Sequence, residues 1–174
     1  LLFRKLFKNT IGTDSIDHSA GYAHSALTKG MKESFGITAS PSVFADIQKT
    51  NLLLVIKSDA YETHPVIGFE INLGVKRKGV DLRIISDKSG KLTKLPDAKT
   101  LVHKPGSEIM FVNALAKVLI DEGLADTAAN GFDALKDLLA DVTLEKGAAV
   151  TGVSVEAITE LARDYAKAEK ALIL

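Results

Sequence analysis

Histidine and carboxylate side chains are the groups through which this sequence could carry out metal or acid–base chemistry, because the chain has four histidines and no cysteine. No two of the histidines have the His-Glu-x-x-His spacing of a helical zinc site. The lack of cysteine excludes disulfides, thiolate-held iron–sulfur clusters and cysteine nucleophiles from these 174 residues. We therefore expect no metal ion in this segment. The histidines are His18, His24, His64 and His103.

Polar residues follow the predicted strands, and in open parallel sheets ligands lie beyond the carboxyl ends of strands. Neither a G-x-G-x-x-G nor a G-x-x-x-x-G-K-[ST] motif is present, so a standard dinucleotide or P-loop site is not supported. Glu62–Pro65 is one candidate polar site, with Pro65 opening a helix and His64 capping or packing there as the equal alternative. In Lys104–Glu108, capping preference favours Ser107 as a helix N-cap over an anion site.

Strand-length apolar runs alternate with helical patterns, at the spacing that a βαβ unit needs. The continuous apolar run after Asn51 is typical of a strand buried on both faces of a parallel sheet. The sequence therefore predicts a Rossmann-like α/β fold with a mainly parallel sheet and flanking helices. The predicted strands are 51–56, 80–86, 100–103 and 171–174, and the predicted helices are 1–9, 26–35, 43–49, 66–78, 108–122, 132–140 and 155–168.

Composition limits the partners. The formal net charge is zero, so we expect no nucleic-acid partner. No apolar run approaches the roughly 20 residues of a membrane span, so we expect no direct membrane insertion. The chain lacks an initiator methionine and closes on an apolar run, which predicts an excised piece of a larger protein. Residues 1–40 are predicted to be the end of a neighbouring domain, and residues 41–174 the α/β domain.

The segment Ile16–Ser25 resembles the active-site loop of the molybdopterin oxidoreductases, a family that includes formate dehydrogenases and nitrate reductases. In the formate dehydrogenase type, the loop runs Asp-x-x-Ala-Arg-x-(Cys or selenocysteine)-His. Asp17, Ala20 and His24 stand in register with that pattern. The resemblance puts the metal ligand at position 23, which is Ala23 here.

The resemblance continues in order from about residue 11 to the end. The family's G-S-N-P-x-E-x-H-P matches Lys57–Pro65, its D-P-R matches Ser86–Lys88, and its P-G-T-D matches Pro105–Glu108. If the segment holds part of a cofactor, the resemblance implies cofactor-binding roles for a set of strand-end residues. This set is Ser58, Asp59, Glu62, His64, Asp87, Gly106 and Ser107.

Departures from the family pattern imply that the cofactor site has been lost. A methyl group at Ala23 cannot coordinate molybdenum, and Gly21 replaces the arginine beside the metal. In the family, a glycine, an asparagine and an aspartate line the pocket for one guanosine arm of the cofactor; here they are Lys57, Asp59 and Ser86. We therefore expect no cofactor in this segment, no catalytic residue, and a packed, hydrogen-bonded core role for His24.

The large iron–sulfur subunit of NADH–quinone oxidoreductase, respiratory complex I, is the family branch typical of this pattern. It implies a structural role, with iron–sulfur clusters elsewhere in the full-length chain and other subunits of a respiratory complex as partners. It also implies a cytoplasmic location, peripheral on the inner face of a bacterial membrane. The alternative is the cofactor-binding part of an active molybdopterin-dependent oxidoreductase such as formate dehydrogenase, which holds molybdopterin guanine dinucleotide.

Overall fold

A computed structural model describes residues 2–174, and the chain divides after Val43 into two units. The first unit is helical, and its described residues include no buried side chain. Gly12 and Gly36 end two of its helices in the left-handed conformation, at φ 77° and 72°. Its elements are α1 (Leu2–Lys5), a π-helical segment (Leu6–Ile11), α2 (Ser19–Ala23) and α3 (Ser25–Phe35).

The second unit is an α/β body built on a four-stranded sheet, with strand order β3-β2-β1-β4 and parallel pairing throughout. This confirms the predicted α/β fold with a parallel sheet and flanking helices. The strands are β1 (Leu52–Ile56), β2 (Asp81–Ser86), β3 (Lys99–Val102) and β4 (Ala171–Ile173). The helices are α4 (Phe44–Ile47), α5 (Ala60–Thr63), α6 (Pro65–Lys78), α7 (Glu108–Asp121), α8 (Phe132–Leu138), α9 (Leu144–Thr151) and α10 (Val155–Lys167), with a 3₁₀ turn at Leu92–Lys94.

The central strand β1 faces two cores, because successive side chains of a strand point to opposite faces. Leu52 and Leu54 pack in one cluster with Phe111 of α7, to which α10 also contributes. Leu53 and Val55 belong to the cluster on the other face, with residues of α4 and α6. Burial on both faces explains why β1 is a continuous apolar run rather than an alternating one.

Local signals in the sequence set most helix ends. Pro65 is the first residue of α6, and Gly79 ends that helix at φ 68°. The Ser154 side chain accepts a hydrogen bond from the Ala157 amide and caps α10, as predicted. The helix α9 was not predicted. Among the described residues, no helix is long and apolar enough to cross a membrane.

Candidate functional site

A cleft of about 230 Å³, which we call the carboxyl-edge cleft, lies at the carboxyl ends of β1 and β2. Its wall combines the residues just after β1 with the loop that follows β2, which we call the 87–98 loop. Three carboxylates and two ammonium groups line it, so its formal charge is negative. The lining residues are Lys57, Ser58, Asp59, Glu62, Ser86, Asp87, Lys88, Ser89, Gly90, Leu92 and Thr93.

Lys57 stands at the end of β1 in the left-handed conformation, at φ 51°, which glycine adopts more readily than lysine. Its ammonium group donates a hydrogen bond to Glu108, the first residue of α7, and lies 3.9 Å from the Asp87 carboxylate. The hydrogen bond from Lys57 lowers the pKa of the Glu108 carboxyl to about 2. The same bond raises the pKa of the Lys57 ammonium. Both groups are therefore charged at neutral pH.

Asp59 connects the end of β1 to the 87–98 loop. One of its carboxylate oxygens, Oδ1, accepts from the Tyr61 amide at 3.1 Å and caps the short helix α5. The other, Oδ2, accepts from the amides of Lys91 at 2.6 Å and Leu92 at 3.3 Å. Gly90 makes this approach possible, because a Cβ atom at that position would overlap the Asp59 carboxylate.

Ser86 ends β2, and its hydroxyl group serves the local turn. Its Oγ donates to the Lys88 carbonyl at 2.8 Å and accepts from the Lys88 amide at 3.3 Å. Asp87 follows with a largely buried side chain, which is 17% exposed. The serine hydroxyl is thus engaged by the backbone of its own loop.

The structure brings together four of the seven predicted cofactor-binding residues: Ser58, Asp59, Glu62 and Asp87 all line the cleft. His64 does not line it. Its exposed ring contacts the Thr63 hydroxyl at 3.0 Å, and its side chain makes no capping bond to α6. Whether any of these residues binds a ligand stays a prediction.

Gly106 and Ser107 lie outside the cleft, in the turn before α7. Ser107 occupies the N-cap position, but its side chain makes no capping bond, which corrects that part of the prediction. Its Oγ donates instead to the Lys104 carbonyl at 2.6 Å, so the hydroxyl stabilises the turn. Beside it, the buried His103 ring contacts the same carbonyl through Nδ1 at 2.8 Å.

The segment that resembles the metal-ligand loop is only partly a loop, because Gly21 and Ala23 belong to α2. A Cβ atom at Gly21 would lie 2.6 Å from an Asp17 carboxylate oxygen. His24 ends this helix with a side chain that no described residue buries, and its predicted core role stays a prediction. None of the residues of α2 is buried either.

No cluster of three or more histidine, cysteine or carboxylate side chains suited to a metal ion occurs within residues 2–174. The sequence analysis did not predict one wall of the cleft, which is formed by Ser89, Gly90, Leu92 and Thr93. The polar, glycine-containing run after β2 was the available signal. Its contact with Asp59 spans more than thirty residues, which no local pattern reveals.

No protein-family model matches the chain. It is 32% identical to the alpha subunit of F420-dependent formate dehydrogenase 2 of Methanococcus maripaludis, over 98% of this chain and 26% of that protein. It is 28% identical to formate dehydrogenase H of Escherichia coli, over 99% of this chain and 25% of that protein. The chain thus spans about a quarter of the length of these relatives.

The fold of the chain matches that of acetylene hydratase from Pelobacter acetylenicus, with a TM-score of 0.79 and 23% identity over 98% of this chain and 24% of that one. These comparisons do not support the finer assignment to the large iron–sulfur subunit of complex I. They favour the formate dehydrogenase interpretation instead. The homologues of this chain are formate dehydrogenase alpha subunits and related molybdopterin oxidoreductases.

Proposed function

We propose that the full-length protein is an oxidoreductase subunit of the formate dehydrogenase alpha type, and that residues 44–174 serve in it as a structural α/β body. The similarity to alpha subunits extends over 98% of this chain, and this observation carries the proposal. Relatives named as alpha subunits also support partner subunits as the binding partners of the full-length protein. Association with a membrane surface through those partners is part of the same proposal.

The cofactor that this class implies is molybdopterin guanine dinucleotide, and the carboxyl-edge cleft does not fit its nucleotide arm. The lining carries three carboxylates against two ammonium groups, so a diphosphate meets repulsion. The amides of Lys91 and Leu92 already donate to Asp59. At about 230 Å³, the cleft is also smaller than the roughly 300–1,000 Å³ typical of ligand pockets. We therefore expect this segment to contribute no catalytic residue.

The second candidate is the large iron–sulfur subunit of NADH–quinone oxidoreductase. Ala23 favours it, because the resemblance puts the metal ligand at that position and a methyl group has no electron pair to donate. Gly21, at the position of the loop arginine, points the same way. In both candidates this segment is structural, so they differ in the electron donor of the full-length protein.

Electron-donor specificity of the intact complex tests the proposal. The full-length protein is purified anaerobically with its bound subunits, and dye reduction is measured with formate and with NADH. Formate-dependent reduction supports the formate dehydrogenase type. NADH-dependent reduction without formate activity selects the complex I candidate. A purified complex that oxidises neither donor and contains no redox centre contradicts both.

A further inference from the structure

The two residues that depart most in charge from the family pattern, Lys57 and Asp59, are each bonded to a different wall of the cleft. Lys57 reaches from β1 to Glu108 of α7 and to Asp87 after β2. Asp59 reaches from β1 to the amides of the 87–98 loop. Each has a charged side chain at a position where the family pattern has a neutral residue. The cleft therefore contains its own cation and its own anion.

The carboxylate of Asp59 makes the contacts that a bound anion makes in other proteins. Three backbone amides, those of Tyr61, Lys91 and Leu92, donate to its two oxygens. Amides that converge on one oxygen form an anion-binding concavity, and here the anion is part of the chain. Gly90 completes the fit, since any larger residue would collide with the carboxylate.

The ammonium group of Lys57 is neutralised in a similar way, on the side of the cleft that faces α7. It donates to Glu108 and lies 3.9 Å from Asp87, so it faces two carboxylates. A phosphate group that approached it would have to displace one of them. The remaining cation of the lining, Lys88, is too exposed to balance the carboxylates that face the cleft.

We propose that Asp59 and Lys57 are internal substitutes for a bound nucleotide: they hold the 87–98 loop and the start of α7 in place, and they close the cleft to diphosphate-bearing cofactors. This depends on the proposed function only for the class of cofactor that is excluded. The 87–98 loop is anchored in the core by Leu92, which is 1% exposed. It is also held by the hydrogen bond from the Lys91 amide to Asp59. Its order therefore needs no ligand.

Trypsin reports the state of this loop directly, because Lys88, Lys91 and Lys94 are cleavage sites within it. The full-length protein is produced in two hosts, one able and one unable to make molybdopterin. We expect equal rates of cleavage at the three lysines, and no protection by millimolar guanosine diphosphate.

Two matched variants test the part assigned to Asp59. Asp59→Asn removes the charge and carries the residue that the family pattern has there, so it is compatible with the fold. We expect cleavage within the 87–98 loop to become about five- to thirtyfold faster, which corresponds to a loss of about 1–2 kcal/mol in the free energy of opening the loop. Glu62→Gln removes a carboxylate of the same cleft that makes no side-chain hydrogen bond among those described, and we expect an unchanged rate.

Three results would overturn the inference. One is faster cleavage in protein from the host that lacks molybdopterin, and another is slower cleavage in the presence of guanosine diphosphate. The third is equal cleavage of Asp59→Asn, Glu62→Gln and unmodified protein. Failure of the functional proposal is separate, because it is read from electron-donor activity and leaves cleavage of the 87–98 loop unaffected.

Discussion

The helices of the first unit and those of the second unit are specified in different ways. In α3, which has 11 residues, no side chain is buried, so its helical form rests on local propensity and on the Gly36 cap. Isolated helices of that length are marginal in water. In α7, which has 14 residues, Phe111 and Val118 are buried within the core. Similar helical patterns are therefore stabilised in one unit by local propensity and capping, and in the other by burial in the core. Substitutions at matched positions distinguish the two cases.

The largest expected effect contrasts two phenylalanines. Phe111 of α7 is fully buried, so Phe111→Ala leaves a cavity in the core and is expected to lower the free energy of unfolding by about 3–5 kcal/mol. Phe35 of α3 is 73% exposed, and Phe35→Ala is expected to change it by less than about 0.5 kcal/mol. Urea unfolding followed by circular dichroism measures both. Equal losses in the two variants would contradict the contrast.

Two helical glycines sharpen the comparison. A Cβ atom at Gly147 of α9 would lie 2.8 Å from the Ala114 side chain of α7, so Gly147→Ala overpacks the contact between these helices. We expect a loss of about 1–3 kcal/mol. Gly30 in α3 has no atom within 4 Å of such a Cβ, and Gly30→Ala is expected to stabilise its helix by up to about 1 kcal/mol. Unfolding and helix content, measured on both variants, give opposite signs if the packing is as described.

Gly147 also shows why part of the fold could not be predicted. The sequence indicated the strands and most helices, because apolar runs, Pro65, Gly79 and Ser154 act locally. The eight residues of α9 contain a glycine in mid-helix, which disfavours a helix on propensity alone. The close approach to α7 is what accommodates this glycine, and that contact is tertiary.

The candidate site was also predictable only where local patterns determine it. Parallel strands put their carboxyl ends at one edge, so Ser58, Asp59 and Asp87 were expected to be neighbours, and they line one cleft. The contact between Asp59 and the loop at Gly90 was not predictable, because it depends on a long-range backbone approach. The surroundings of His24 were not predictable for a related reason: the local pattern does not show whether other parts of a protein cover a helix.

Helix capping gives a smaller difference between the units. The Ser154 side chain accepts from the Ala157 amide at 3.2 Å, and α10 packs in the core through Ile158 and Leu161. Ser154→Ala is expected to lower the free energy of unfolding by about 1 kcal/mol. His18 caps α2 in a similar way, accepting from the Gly21 amide at 3.2 Å. Since α2 buries no residue, His18→Ala is expected to leave global unfolding unchanged, and a loss equal to that of Ser154→Ala would contradict the distinction.

The smallest effect is a pH dependence that arises at the carboxyl-edge cleft. The hydrogen bond from Lys57 lowers the pKa of Glu108 from 4.5 to about 2, so the folded state favours the charged carboxylate. The stabilisation is complete above pH 4.5 and is lost as the pH falls from there towards 2. The difference in melting temperature between unmodified protein and Glu108→Gln is therefore expected to shrink across that range. In a Lys57→Gln background, which removes the largest cause, the effect of Glu108→Gln is expected to be smaller and less dependent on pH, because the backbone amides of Gly106 and Glu108 still favour the charged carboxylate. An undiminished pH dependence in that background would show that Lys57 is not the group that holds the Glu108 carboxylate in its charged form.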